Sequence, residues 1–180
     1  MTNTLLDNTT DNLKLVNTIK QCIINSSCKN IKIATGYWDI PGMVLIYDEL
    51  KNFLSETDTK IQLLIGADPV IRQKQLAHPI HKSSKFPQDY IKRDIQQLDV
   101  KDDYVDVIRL IKEFCQEKEE NSKFQIRIYR KDNDGDAQFF HAKCYIFCGS
   151  DYAVGIIGSS NFTQKGLEGN SELNYLEPTR

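Results

Sequence analysis

Gln138-Phe139-Phe140-His141-Ala142-Lys143-Cys144-Tyr145-Ile146-Phe147 reads as a β-strand, with Phe140, Ala142, Cys144 and Ile146 on one face and His141, Lys143 and Tyr145 on the other. His141 and Lys143 are then same-face neighbours, about 7 Å apart along the strand. The next apolar run, 152–157, reads as another strand and delivers Gly158-Ser159-Ser160-Asn161 to a turn, where backbone N–H groups and hydroxyls can face an anion. Beyond it, 171–177 reads as the beginning of a strand that carries Glu172 inward. An imidazole, a cation, amide and hydroxyl donors and a carboxylate in so short a stretch fit a phosphodiester.

Near the start of the chain, Leu13, Val16, Ile19 and Ile23 recur at helical spacing, and Ser26-Ser27 closes that helix. Asn30–Thr35 reads as a buried strand, followed by the turn Gly36-Tyr37-Trp38. A helix opened by Pro41 then carries Val44, Tyr47, Leu50 and Leu54 on one stripe. Lys60–Gly66 is a second strand. Tyr104, Val107, Ile108, Ile111, Phe114 and Cys115 mark the clearest amphipathic helix, and 123–131 follows as a strand. Its expected partner is the His141 strand, because Asp134-Gly135 between them favours a hairpin turn. Strands and helices in this order predict an α/β domain with a mixed sheet.

A chain of 180 residues with 40% hydrophobic content is long enough for one domain with a real core. It has no apolar run of membrane-helix length, and its polar start lacks the regions of a signal peptide, so a cytoplasmic location is expected. Cys22, Cys28, Cys115, Cys144 and Cys148 are odd in number without a Cys-x-x-Cys pair, which argues against a disulfide framework or zinc knuckle and for mostly buried thiols. The net charge of −2 gives no global nucleic-acid signal. A basic surface must be local, and 72–93 supplies one: Arg72, Lys74, Lys82, Lys85, Lys92 and Arg93 against Asp89, with His78, His81, Phe86 and Tyr90 interleaved.

His-x-Lys, Gly-Ser-x-Asn and the Glu-Leu-Asn segment together resemble the phospholipase D superfamily. They are most similar to its single-motif nuclease branch, which includes metal-independent restriction endonucleases and the phospholipase D-like domains attached to helicases. Ala34-Thr35-Gly36-Tyr37-Trp38 is similar to the first strand-to-helix turn of the helicase-linked members. The resemblance implies a phospholipase D-like mixed sheet flanked by helices. It also implies a catalytic set of His141 as nucleophile, Lys143 and Asn161 at the phosphate, and Glu172 orienting the histidine. Ser159 falls on the Gly-Ser position and joins Lys143 and Asn161 as a phosphate-binding residue. One departure stands out: Cys148 occupies the acidic position five residues after the lysine, and Asp151 is given no catalytic role.

The implied activity is a nuclease acting on DNA through a phosphohistidine, without metal or cofactor. One histidine cannot be nucleophile and leaving-group acid in the same step, so a single-motif chain is expected to form a two-fold dimer. Residues 1–180 are expected to be one phospholipase D-like domain, the N-terminal fragment of a longer protein that carries a helicase. The motor itself is absent, since no Gly-x-x-x-x-Gly-Lys-Ser/Thr loop occurs.

Plainer alternatives exist for each feature. A lone strand histidine is more often a structural residue. Asp132, Asp134, Gly135 and Asp136 form a poor calcium loop, with the glycine one place early and Lys143 where the loop needs a glutamate. His78 and His81 lack companion ligands. Tyr37 and Trp38 are either core residues or base-stacking groups. For the whole chain the rival readings are a non-catalytic DNA-binding module of a helicase, a lipid phosphodiesterase and a structural dimerisation domain.

Overall fold

The structure, a computed structural model, describes residues 4–66, 102–115, 122–129 and 140–178. Its centre is one sheet of strands β1 (Thr4–Leu6), β2 (Asn30–Thr35), β3 (Lys60–Gly66), β4 (Phe124–Tyr129), β5 (Lys143–Cys148), β6 (Ala153–Gly158) and β7 (Asn174–Pro178). Their spatial order is β1-β7-β6-β5-β2-β3-β4. β2, β3 and β4 run parallel, whereas β5, β6, β7 and β1 continue the sheet in antiparallel pairs from the other side of β2. This is the mixed α/β sheet expected from the order of elements.

Period-two alternation decides the buried face. Ile31, Ile33 and Thr35 of β2 are buried there, as are Ile61, Leu63 and Ile65 of β3, Tyr145 and Phe147 of β5, and Val154 and Ile156 of β6. Helices α1 (Leu15–Ile23), α2 (Ile40–Val44), α3 (Tyr47–Ser55) and α4 (Asp102–Phe114) bring apolar stripes to the same continuous core. α1 contributes Leu15, Val16, Ile19, Cys22 and Ile23, and α4 contributes Val107, Leu110 and Ile111. Each Leu, Val and Ile among them stabilises the fold by about 1.5–3 kcal/mol relative to exposure.

Three local expectations change. The helix opened by Pro41 is two helices: Ile46 leaves helical backbone (φ −126°, ψ 22°), which lets Ile40, Met43 and Ile46 all bury completely. The Asp39 side chain caps the first of them, accepting the Gly42 N–H at 2.7 Å. The hairpin between 123–131 and the His141 strand does not form. β4 pairs only with β3 among the described strands, and β5 lies between β2 and β6. An Asp-Gly pair reports a local turn, whereas β5 gains a paired neighbour on both edges by inserting beside β2. Finally, β5 starts at Lys143 rather than near residue 138, and Asp134-Gly135 lies outside the described residues.

The five cysteines are free, and Cys22 and Cys28 are buried, but Cys115, Cys144 and Cys148 are half-exposed, so fewer are buried than expected. Burial, with Cys148 and Cys22 nearby, pushes the Cys28 thiol up to about 12. Among the described residues no helix is long and apolar enough to cross a membrane.

Candidate active site

Strand direction gathers the motif residues. β5 runs antiparallel to β2 and β6 antiparallel to β5, so the end of β2, the start of β5 and the end of β6 meet at one rim of the sheet. The register sets Thr35 opposite Lys143 and Gly158 opposite Asn174. Three segments arrive at this rim: the start of β5 with His141 and Lys143, the turn after β6 with Ser159 and Asn161, and the approach to β7 with Glu172. It is also where β2, shared by the parallel and antiparallel halves, delivers its carboxyl end, the place where sites in α/β sheets gather.

His141 is exposed and Lys143 is buried, with 7% of its surface accessible. The Lys143 ammonium donates to the His141 carbonyl at 2.9 Å, which fixes the short segment between them. Burial pushes the Lys143 pKa below the ordinary lysine value, and the Glu172 carboxylate opposes that shift by favouring the cation. Lys143 and Glu172 are therefore electrostatically coupled within the site.

Gly36 makes the cluster compact. A β-carbon placed on it would stand 3.5 Å from His141 Cδ2, 3.3 Å from Asn161 Oδ1 and 3.2 Å from the Phe140 carbonyl oxygen. His141 and Asn161 thus converge on the same glycine. Gly66 is tighter still, with its virtual β-carbon 2.7 Å from the Phe140 oxygen and 2.9 Å from that of Gly36. The chain entering the motif crosses directly over the ends of β2 and β3, an approach that the missing side chain of Gly66 makes possible and that of Gly36 eases.

The Asn161 amide has a defined orientation. Its Oδ1 accepts the Tyr37 N–H at 3.1 Å, and its Nδ2 has no partner among the described residues. An amide held through oxygen presents two N–H donors to an incoming anion. The backbone of the turn does not do the same. The N–H groups of Ser159, Ser160, Phe162 and Thr163 bond to the Leu173 carbonyl, Asn174 Oδ1, Thr35 Oγ1 and the Asn161 carbonyl respectively. These four N–H groups of the anticipated anion nest are therefore engaged inside the protein, so side-chain donors matter more to a phosphate at this turn.

Glu172 sits just before β7, half-buried, and the Ser159 hydroxyl donates to its Oε2. Asn170 Nδ2 donates to the other carboxylate oxygen at 3.1 Å, and the Leu173 N–H donates to Ser159 Oγ at 3.0 Å. In this arrangement the Ser159 hydroxyl positions Glu172, and both donors of Ser159 are already engaged.

Two buried residues that sequence reasoning passed over hold the Asn161 turn. Thr35 Oγ1 accepts the Phe162 N–H at 2.9 Å and donates to the Tyr37 carbonyl at 2.6 Å. Asn174 binds Ser160 twice, through Oδ1 to its N–H and through Nδ2 to its hydroxyl, while Tyr145 donates to the Ser160 carbonyl at 2.9 Å. A legible signal existed: Thr35 is a hydroxyl at the buried parity of an otherwise Ile-rich strand, and Asn174 holds the same kind of place before Leu176.

Cys148, at the family's acidic position, closes β5 opposite Asn30. Five residues along a strand put it about 16 Å from Lys143. Trp38 is half-buried, its indole N–H has no partner among the described residues, and its backbone bridges to Phe162. The basic segment 72–93 with His78 and His81, and the turn with Asp132, Asp134 and Asp136, lie outside the described residues.

Solved structures share this fold at low sequence identity. NucT from Helicobacter pylori superposes with a TM-score of 0.53 at 14% identity, over 97% of this chain and 83% of its own. Phosphatidylserine synthase of Haemophilus influenzae gives 0.56 at 14% identity over 97% of this chain, but this chain spans only 33% of it. Polyphosphate kinase of Porphyromonas gingivalis gives 0.52 at 9% identity, over 97% of this chain and 23% of its own. No curated protein sequence matches the chain. Residues 19–177 match the family described as cardiolipin synthase, PLD-like domain, and with nearly the whole sheet and every motif residue inside that match, the chain belongs to the phospholipase D-like family.

Proposed function

We propose that this domain is a metal-independent phosphodiesterase acting on DNA, with His141 as nucleophile. The observation that carries the reading is the convergence of His141 and Asn161 on Gly36, beside the buried cation Lys143. In the first step an imidazole nitrogen attacks phosphorus, a P–N bond forms, and the P–O bond to the leaving sugar breaks. The leaving oxygen takes its proton from a second histidine. Water then attacks the phosphohistidine and gives a proton to the second histidine as the P–N bond breaks, which yields a phosphomonoester and restores both imidazoles to their starting states. Lys143 and the Asn161 amide hold the non-bridging oxygens as charge builds, and Glu172 supports the cationic imidazole, itself steadied by Ser159 and Asn170.

The second histidine comes from another copy of the chain, so the working unit is a two-fold dimer. DNA is favoured over lipid by the single-motif pattern and by Tyr37 and Trp38 beside the phosphate-facing groups, where bases can stack. The matching family and neighbours carry names that concern phosphate compounds, cardiolipin, phosphatidylserine and polyphosphate, which supports phosphate-centred chemistry in general terms. We place the protein in the cytoplasm and pair it with a helicase, which the likeness of Ala34-Thr35-Gly36-Tyr37-Trp38 to helicase-linked members supports.

A non-catalytic DNA-binding module is the second reading, favoured by Cys148 at the acidic position. The distance of Cys148 from Lys143 weakens it, because a carboxylate there would not touch the phosphate. The deciding experiment incubates the protein with end-labelled single-stranded and duplex DNA in EDTA, and traps an acid-labile phosphoprotein by rapid quench. Cleavage with a trapped intermediate supports the proposal. DNA binding without cleavage at concentrations where sedimentation shows a dimer establishes the module, and hydrolysis of phospholipid vesicles alone establishes the lipid reading.

A further inference from the structure

Thr35 lies outside the phosphate-contacting set, yet its hydroxyl is the joint between two segments that must agree. The side chain is completely buried at the end of β2, opposite Lys143 in the register. It accepts the Phe162 N–H at 2.9 Å and donates to the Tyr37 carbonyl at 2.6 Å. Phe162 follows Asn161, and the Tyr37 N–H is the group that holds Asn161 Oδ1. Thr35 thus controls the Asn161 backbone from one side and the orientation of its amide from the other. Asn161 Oδ1 also lies 3.5 Å from the Thr35 hydroxyl, so the three groups share one small buried space.

We propose that Thr35 is a positioning residue that sets which way the Asn161 amide faces, and through it the donors offered to the phosphate. The inference rests on the phosphodiesterase reading for its catalytic consequence and on the hydrogen bonds alone for its structural one. Asn and Gln amides have no intrinsic preference between their two ends, and only the surrounding network decides. Without the Thr35 hydroxyl the Phe162 N–H loses its acceptor and the Tyr37 carbonyl its donor, in a place water does not reach. Both neighbours of the amide then lose their anchors.

The test compares Thr35→Val, which keeps the branched shape, with Thr35→Ser, which keeps the hydroxyl. The Asn161 side-chain NH₂ resonances, assigned by their loss in Asn161→Asp, are followed in ¹⁵N-labelled protein, and turnover of a chromogenic phosphodiester is measured in parallel. Thr35→Val should shift or broaden those resonances and lower kcat roughly 10–100-fold with KM changed less than about threefold, while Thr35→Ser stays near wild type. An undisturbed Asn161 amide in folded Thr35→Val overturns the proposal, whatever the activity. If the wild type hydrolyses nothing but the resonances move, the phosphodiesterase reading fails and the positioning role stands. Should Thr35→Val not fold, Thr35→Cys is judged by the same resonances.

Discussion

Gly36 packs against His141 so closely that a β-carbon on the glycine would lie 3.5 Å from the imidazole Cδ2. The same atom would lie 3.3 Å from Asn161 Oδ1, so a side chain at this position touches both groups proposed to meet the phosphate and pushes the Asn161 amide by a few tenths of an ångström. Gly36→Ala should therefore fold, with a stability change within about 1 kcal/mol, and lose about tenfold or more in turnover. Gly66→Ala is the structural control, since its β-carbon meets only backbone atoms, at 2.7 and 2.9 Å, closer than the 3.2 Å that separates the Gly36 β-carbon from the Phe140 oxygen. A loss of roughly 1–3 kcal/mol is expected there by chemical denaturation.

His141→Ala removes an exposed side chain, so the melting temperature should hold while cleavage disappears. With nucleophile and acid both lost, the fall should exceed the roughly 10²–10⁴-fold usual for acid–base catalysis alone. Wild-type cleavage should persist in EDTA, because His141 and Lys143 supply the nucleophile and charge stabilisation themselves. Loss with chelator and rescue by magnesium would contradict this mechanism.

Lys143→Met should separate function from stability. Burial depresses the lysine pKa in the folded state, so below that pKa the native protein carries a charge that its surroundings disfavour. The unfolded chain binds more protons between the folded and ordinary pKa values, and wild-type stability must rise with pH across that window. The stability advantage of Lys143→Met over wild type should consequently be greatest near neutral pH and shrink as pH climbs toward the ordinary lysine value. Paired thermal melts across pH check the slope, and turnover should be lost at every pH.

Asn174 tests the clamp from the other side of the turn. Asn174→Leu leaves the buried Ser160 N–H and hydroxyl without their partner, which should cost about 2–4 kcal/mol in urea denaturation. Asn174→Asp keeps the acceptor for the N–H but not the donor to the hydroxyl, so an intermediate loss is expected.

Asp39 accepts N–H groups from Gly42 at 2.7 Å and Gln164 at 3.0 Å, linking the cap of α2 to the end of the Asn161 turn. Burial raises its carboxyl pKa, against the pull of those two donors. Asp39→Asn preserves an acceptor without the buried charge and should change stability by less than about 0.5 kcal/mol, whereas Asp39→Ala should cost about 1–2 kcal/mol.

Strand and helix identity was legible because burial periodicity is a property of the chain itself: Ile31 and Ile33, Leu63 and Ile65, or Val107 and Ile111 announce their faces in the sequence. The candidate residues His141, Lys143, Asn161 and Glu172 could be named from the sequence because their motifs resemble those of the phospholipase D superfamily, and the strand register brings their segments to one rim of the sheet. Pairing was not legible. β5 could have closed a hairpin with β4, and its place between β2 and β6 follows from which partners cover both of its edges, a long-range choice that no local turn signal records. For the same reason Thr35 and Asn174, distant in sequence from Asn161 or unremarkable beside it, became parts of the site only when the sheet brought their side chains against its backbone. The chain alone determined which groups are available for phosphate chemistry. The tertiary structure decided which way they face, because orientation depends on buried hydrogen bonds between segments that meet only in the fold.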